Sequence, residues 1–279
     1  MTTLNRVVPR HALRLTWGRW SVRAAAFSYL IVLLLVPLAV IMVEGLRSGD
    51  ALVRVITNPI ARHAIWLTLW TAALMTVINA IMGTLTAFVL VRYDFWGKAL
   101  LNAVVDLPFA IPTLVTGVML VVLYGPQAVL GSWLKRNFGF DVIFAPPGIL
   151  LALLFTAFPF VVRSIQPVLL NLDRVQEEAA ATLGASRWTI FRRVTLPALM
   201  PAIIAGSLLS FARAIGEFGA IVVVAGNIPL RSQTAAVYIY GEVEAGNQRI
   251  ASAMAVIMLA IAFGTIMVVE WLTRRRTTI

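Results

Sequence analysis

Long, predominantly apolar runs dominate this chain and restrict what it can fold into. A bilayer core of roughly 30 Å requires about 20 consecutive apolar residues in a helix. The runs of that length are 24–45, 64–91, 99–124, 147–171, 198–225 and 250–273. The chain is 60% hydrophobic and only 13% charged, whereas soluble domains are about 25% charged. We therefore predict an all-α polytopic membrane protein with six transmembrane helices.

The distribution of Lys and Arg predicts the orientation of these helices. Cytoplasmic loops of membrane proteins carry an excess of the two residues. With the N-terminus inside, 14 of the 23 Lys and Arg residues fall on the cytoplasmic side, seven fall outside and two lie within spans. We therefore predict an N-in, C-in topology. The same asymmetry accounts for the net charge of +11, so we expect no nucleic-acid partner.

The predicted organisation is one membrane unit with short polar ends. Residues 1–23 form a cytoplasmic N-terminal arm with five arginines and no acidic residue. The apolar run that follows is longer than the core of a signal peptide, so we predict a retained first span and an external loop over 24–63. A transmembrane core over 64–273 and a cytoplasmic tail over 274–279 complete the chain.

The sequence contains no recognisable catalytic or metal-binding pattern. It lacks cysteine, which excludes disulfides, thiol nucleophiles and Cys-based metal sites. His11 and His63 lie far apart and outside any carboxylate cluster, so we expect no metal site. No GxxxxGKS or GxxxxGKT phosphate-binding loop is present, so we expect this chain to bind no ATP through such a loop.

The segment 172–197 is too polar to span a membrane, and its residue order is typical of a structured loop. Asp173 can cap a first helix, with Gln176 as its capping-box partner. Glu177 and Glu178 then complement the helix dipole in the first turns. For Glu177 we expect no role beyond this local one.

The second half of the segment predicts a turn and another helix. Gly184 can adopt the left-handed conformation that ends a helix. Ser186 can cap the next helix, which we expect Pro197 to limit. The result is a helix–turn–helix with arms of about ten residues, or roughly 15 Å each.

The spacing within this segment points to a family. Glu178-Ala179-Ala180, then Gly184, then Val194-Thr195-Leu196-Pro197 resembles the EAA-x3-G-x9-I-x-LP motif of ABC importer permeases of the binding-protein-dependent type. The resemblance implies a type I ABC importer permease fold whose cytoplasmic coupling helix docks an ATPase subunit. The docking residues that it implies are Glu178, Ala179, Ala180, Gly184, Val194, Leu196 and Pro197.

The same resemblance implies the partners and the location. Permeases of this family form a pore between two permease subunits, above two ATPase subunits that hold ATP and Mg, and an external binding protein delivers the solute. This chain would therefore bind no cofactor itself. It would lie, multi-pass, in the bacterial cytoplasmic (inner) membrane.

Two further stretches narrow the resemblance to a substrate class. Tyr93–Gly125 and Ser210–Pro229 resemble permeases of the bacterial sulfate/thiosulfate importer, and most of all its T-type subunits. In that family the T-type pairs with a W-type paralogue and receives sulfate from an external sulfate-binding protein. The DLPFAIPT stretch favours sulfate over molybdate or tungstate, whereas the terminal EWLTRRR also fits the molybdate branch. A molybdate/tungstate ABC permease therefore remains an alternative.

Charged residues within predicted spans are costly and are functional candidates for that reason. Arg213 and Glu217 lie four residues apart on one predicted helix face, either as an internal ion pair or along an anion path. Arg163 can snorkel to the inner interface, which we favour, or face that path. We expect Asp106 to cap backbone donors that the following prolines free.

Two other classes of protein remain open. An ion-coupled secondary transporter could use Asp106 and Glu217, but it would not need the spaced loop, and its paired broken helices in inverted repeats are not recognisable here. A membrane scaffold fits the spans and leaves the charges within them unexplained. The segments 126–147 and 226–249 are predicted external loops, placed to touch a binding protein.

Overall fold

Helices form all the regular structure in the part of the chain that is described. The computed structural model describes residues 16–47 and 49–274, with side chains over 21–47 and 49–271. Most of the predicted arm at 1–23 and nearly all of the tail at 274–279 lie outside these residues. The helices are α1 Thr16–Leu30, α2 Val36–Arg47, α3 Gly49–Thr57, α4 Pro59–Arg92, α5 Lys98–Ala110, α6 Thr113–Tyr124, α7 Val129–Phe138, α8 Pro146–Leu170, α9 Val175–Thr182, α10 Arg187–Ile190, α11 Leu196–Ile215, α12 Gly219–Ala225, α13 Ala235–Glu244 and α14 Gln248–Arg274.

Five helical segments in the described residues are long and apolar enough to cross a membrane. They are Ser21–Arg47, Pro59–Arg92, Pro146–Leu170, Arg187–Ile215 and Gln248–Trp271. The pair α5 and α6 passes the same test jointly and counts as a sixth span if it crosses as one bent unit. The predicted six spans therefore correspond to five helices and one broken pair.

The third predicted span, 99–124, is not a continuous helix. Its two halves meet at an angle of 111°. Ile111 and Pro112 are extended at the break, with ψ angles of 125° and 135°, and Pro112 has no N–H to carry the helical hydrogen bonds onward. Pro108 lies inside α5 without ending it. The kink that the prolines predict is thus a full break, located at the second proline.

The fifth predicted span, 198–225, has the wrong limits. The helix begins earlier, at Arg187, and α11 already ends at Ile215. After the break, α12 packs against α6: a Cβ on Gly219 would lie 2.2 Å from the hydroxyl of Thr113. Hydropathy could not locate this end, because residues on both sides of the break are apolar.

Close contacts among α4, α8 and α11 form the centre of the fold. A Cβ on Gly83 would lie 2.8 Å from Val161, and a Cβ on Gly206 would lie 2.9 Å from the Ser164 Cβ. The Ser210 hydroxyl donates to the carbonyl of Ala157 at 3.2 Å. Small residues on the fifth span therefore allow close helix approach.

The predicted external loops contain helices of their own. α7 lies within 126–147, and α13 lies within 226–249. The Thr68 hydroxyl accepts a hydrogen bond from the backbone N–H of Ala235 at 2.8 Å, which attaches the start of α13 to α4. These segments are consequently packed elements and not plain loops.

Candidate functional site: a docking hairpin and two charged clusters

The spaced motif folds into a short helix, a tight turn and a second helix. We call α9, the turn at 183–186 and α10 the docking hairpin. Its first arm has eight residues, close to the predicted length. The second arm differs from the prediction, because α10 runs through a π-helical turn at Phe191–Thr195 directly into α11. Pro197 does not end the helix: it follows the π-helical turn by two residues and lies inside this continuous helical run.

Gly184 sets the turn by its backbone conformation. Its φ is +83°, a region that other L-residues rarely adopt. The N–H of Ala185 donates to the carbonyl of Ala180 at 3.1 Å, and the N–H of Gly184 donates to Ala181 at 3.0 Å. These two bonds form a Schellman motif. The predicted role of Gly184 in ending the helix is confirmed.

Both predicted helix caps are present in the docking hairpin. Ser186 accepts a hydrogen bond from the N–H of Thr189 at 3.3 Å, so its cap on the second arm is confirmed. Asp173 accepts from the N–H of Val175 at 2.9 Å, so its side chain caps the first arm as predicted. The predicted capping box is incomplete, because within the described residues Gln176 does not accept in return from the N–H of Asp173.

Glu177 ties the docking hairpin to the spans. Its Oε1 accepts from Arg92 Nη2 at 2.7 Å and from the Thr195 hydroxyl, also at 2.7 Å. Arg92 ends α4, and Thr195 lies in the turn that enters α11. The expectation that Glu177 has only a local role is thus wrong. No sequence signal links it to residue 92, because the two are 85 positions apart.

Large side chains protrude from the other side of the docking hairpin. Leu183 is 88% exposed and Trp188 is 68% exposed. Glu178, Ala179 and Gly184 are exposed as well. Apolar groups of this size, next to an unburied carboxylate, form a surface suited to another protein.

The motif residues divide into two sets. Pro197 is exposed, like Glu178, Ala179 and Gly184. Ala180, Val194 and Leu196 are partly buried against the rest of the chain. The second set therefore faces the membrane-spanning helices and supports the hairpin from within. Periodicity could have suggested this division, since neighbouring positions on a helix point about 100° apart.

The loop between α4 and α5 lies beside the start of α9. Lys98 donates to Asp94 at 2.8 Å. This hydrogen bond and the charge of Lys98 lower the pKa of the Asp94 carboxyl, and the charge of Arg174 lowers the pKa further. The charge of Arg174, just before α9, thus acts on the Asp94 carboxyl. Trp96 in the same loop is 99% exposed, which extends the exposed surface beside the docking hairpin.

Arg163 is held by polar groups of α5 and by Gln166. Its Nε and Nη2 donate to the Asp106 carboxylate at 2.7 and 2.5 Å. Its Nη1 donates to the side-chain oxygens of Asn102 and Gln166, and Nη2 also donates to the Asn102 carbonyl. All five donors of the guanidinium are therefore engaged.

These bonds correct two expectations. Asp106 does not cap freed backbone donors, because both of its oxygens accept from Arg163. Arg163 does not extend to the interface alone, because it joins α8 to α5. Beside the cluster lies a cavity of about 710 Å³, lined by Asn102, Arg163, Gln166, Lys98 and apolar residues.

Arg213 and Glu217 form the predicted ion pair, although not on one continuous helix. Arg213 Nη1 lies 2.6 Å from Glu217 Oε2. Glu217 sits in the break after α11, only 1% exposed, and its Oε1 accepts from the N–H of Ala220 at 2.9 Å. The carboxylate therefore anchors the start of α12.

Comparison with known protein families identifies the family of this chain. The model of a family described as "Binding-protein-dependent transport system inner membrane component" matches residues 79–278. The chain belongs to this family. It is accordingly a multi-pass membrane component of a transport system and not its ATP-hydrolysing enzyme, as the sequence predicts.

Several curated relatives of this permease cover most of its length. The "Probable sulfate transport system permease protein cysT" of Chlorella vulgaris is 44% identical over 224 residues, which is 80% of this chain and 84% of the relative. The "Sulfate transport system permease protein CysT" of Escherichia coli (strain K12) is 42% identical over 233 residues, 83% of this chain and 84% of the relative.

Solved structures share the permease fold. A chain of the bacterial alginate ABC transporter, crystallised with an alginate pentasaccharide-bound periplasmic protein, superposes with a TM-score of 0.79 at 18% identity. The match covers 94% of this chain and 95% of that chain. A chain of the inward-facing MetNI methionine ABC transporter gives a TM-score of 0.58 at 16% identity, covering 76% and 94% respectively. The predicted ABC importer permease fold is confirmed.

Proposed function

We propose that this chain is the permease subunit of an ABC importer that carries sulfate or thiosulfate into the cytoplasm. The observation that carries the proposal is the docking hairpin, which has an exposed apolar surface on one side and a tie to α4 and α11 on the other. The substrate class rests on relatives about 40% identical that are named for sulfate transport.

The hairpin suits the transfer of motion from an ATPase to the spans. An ATPase subunit would contact Glu178, Ala179 and Gly184. The partly buried Ala180 and Val194 would hold the hairpin against the spans. Leu196 and Pro197 lie at the start of α11, so a displacement of the hairpin acts on the fifth span. Through Glu177, the same displacement acts on the second span.

The proposed partners rest on family membership and on the docking hairpin. Membership of a binding-protein-dependent family implies an ATPase and an external binding protein. We infer two ATPase subunits that hold ATP and Mg, a sulfate-binding protein, and a W-type permease paralogue as the second half of the pore. The proposed location is the bacterial cytoplasmic membrane, N-in and C-in, in contact with lipid.

The charged clusters are the proposed elements of the anion path. Arg213 is one-third exposed while its partner Glu217 is buried, so the guanidinium is the member of the pair that is open to a passing anion. Arg163 is 30% exposed beside its cavity. Because each arginine is paired with a carboxylate, attraction for a dianion is moderated, as release requires. Arg213→Lys, which keeps the charge, should transport better than Arg213→Gln.

A direct test is uptake of radiolabelled sulfate by proteoliposomes that contain the permease pair, the ATPase and the binding protein. We expect uptake to require ATP and to persist when proton and sodium gradients are abolished. Competition by thiosulfate, and not by molybdate or tungstate, would support the substrate class. Uptake that follows an ion gradient without ATP would overturn the proposal in favour of a secondary transporter.

A further inference from the structure

Three arginines from two distant parts of the sequence surround one cavity on the predicted external side. The cavity has a volume of about 450 Å³ and is lined by Arg47, Asp50, Arg54 and Arg249, together with backbone and small apolar groups. Arg47 ends α2, Arg54 lies in the last turn of α3, and Arg249 is in the first turn of α14.

Close packing of α2 on α14 brings these arginines together. A Cβ on Gly45 would lie 2.7 Å from Val256 Cγ2 and 2.9 Å from the carbonyl oxygen of Ser252. Only a glycine allows the end of α2 to approach α14 so closely. The approach places Arg47 beside Arg249, more than 200 positions away in the chain.

The arginine cavity has an excess of positive charge. Asp50 is its single acidic lining residue. Within the described part of the chain, none of the three guanidinium groups lies within 4.0 Å of a carboxylate. Three arginines against one aspartate leave a local charge suited to an anion. Guanidinium groups bind phosphate oxygens with paired hydrogen bonds.

The surroundings of the cavity indicate a lipid as the source of that anion. Arg47 is the last residue of a membrane-crossing segment, the level at which phospholipid headgroups lie. Leu46, Val53 and Ile56 are each more than half exposed next to the cavity. On α3 these exposed side chains alternate with the buried Ala51 and Val55, the pattern of a helix that lies in the membrane interface.

The predicted topology makes the cluster unusual. Lys and Arg are disfavoured in external segments, and yet three of the seven predicted external ones meet here. We propose that the arginine cavity binds the phosphate group of an anionic phospholipid in the outer leaflet, with the acyl chains along the exposed apolar surface of α2. Such a site would fix the peripheral helices α2 and α3 to α14.

Lipid binding can be tested on the full-length chain, in the complex in which it purifies. The delipidated complex would be titrated with phosphatidylglycerol or phosphatidylcholine, and bound lipid counted by native mass spectrometry. The test variant is Arg47→Gln/Arg54→Gln/Arg249→Gln. The matched control is Lys135→Gln/Arg136→Gln/Arg231→Gln, which removes the same charge from the same predicted side but away from the cavity.

The wild type and the control are expected to bind phosphatidylglycerol at least tenfold more tightly than the test variant. Loss of a single charge-assisted hydrogen bond is enough to weaken binding about tenfold. Phosphatidylcholine should not discriminate among the three. If the triple variant is poorly folded, the single variants are measured instead, beginning with Arg249→Gln. Each should show a partial loss of phosphatidylglycerol binding.

Three results would overturn the proposal. The first is that the test variant binds phosphatidylglycerol as tightly as the wild type. The second is that sodium sulfate or sodium phosphate, at millimolar concentration, displaces the lipid completely. In the latter case the cavity would be a site for free oxyanions. Loss of binding-protein cross-linking in the test variant, with lipid retained, would assign the arginines to a protein interface. None of these results depends on whether sulfate is the transported solute.

Discussion

Neutralising Glu177 should loosen the docking hairpin without touching its exposed surface. The substitution Glu177→Gln keeps the shape of the side chain and removes its charge. Arg92, only 10% exposed on its side chain, would lose its anionic partner. Thr195 would retain at most a neutral acceptor. The expected consequence is that α9 separates more often from the ends of α4 and α11.

The size of the effect follows from the two contacts at 2.7 Å. Hydrogen bonds to a charged group contribute about 1.5–3 kcal/mol, whereas neutral ones contribute about 1 kcal/mol. Since the Glu177 side chain is 20% exposed, water weakens part of the interaction, and we take the loss as about 2 kcal/mol. With a factor of ten for each 1.4 kcal/mol, local opening of α9 should become about 30-fold more frequent.

Amide hydrogen exchange of peptides that cover 175–182 measures this opening directly. The matched control is Glu178→Gln on the next residue, whose carboxylate is exposed; it loses only the helix-dipole contribution of about 0.3–1 kcal/mol, so its exchange should rise by about fivefold at most. A double-mutant cycle with Arg92→Gln should give a coupling of about 1–2 kcal/mol. If Glu177→Gln changed the exchange less than threefold, or if Glu178→Gln changed it equally, the tie would not hold the hairpin.

Three further predictions concern other parts of the fold. Gly184→Ala should weaken recovery of the ATPase in affinity purification more than Gly184→Asn, because a left-handed φ costs about 1–2 kcal/mol for alanine and less for asparagine. Asp106→Asn should lower the thermal unfolding midpoint, and adding Arg163→Gln should lower it little further, since a single loss leaves the partner charge unpaired. Gly206→Ala should destabilise the chain, because its Cβ would meet the Val161 backbone at 3.0 Å, whereas Gly216→Ala, with nothing nearer than 3.9 Å, should not. Thermal unfolding in detergent measures the last two.

The features that depend only on neighbouring residues could be predicted from the sequence. Apolar run length located the second and fourth spans to within a few residues, because a helix in a bilayer satisfies its own backbone. Gly184 and Ser186 could be assigned from chemistry alone, since each acts on hydrogen bonds within a few residues. The spaced motif identified the docking hairpin for the same reason.

Features that depend on helix rotation and on distant partners escaped prediction. Asp106 and Arg163 are 57 residues apart, and their pairing requires knowing which faces of α5 and α8 meet. Glu177 and Glu178 are chemically identical neighbours, and only the path of α4 decides which one is tied down. The end of α11 at Ile215 was missed because apolar residues continue beyond the break, through Phe218 and α12.

The roles of the docking hairpin and its exposed surface are tested most directly by one purification. The tagged chain would be isolated in mild detergent as wild type, Glu178→Arg and Gly184→Pro. We predict that an ATPase subunit and a second permease accompany the wild type, and that both variants lose the ATPase while they keep the second permease. A wild type that purifies alone, or variants that retain the ATPase, would contradict the assignment of the docking hairpin.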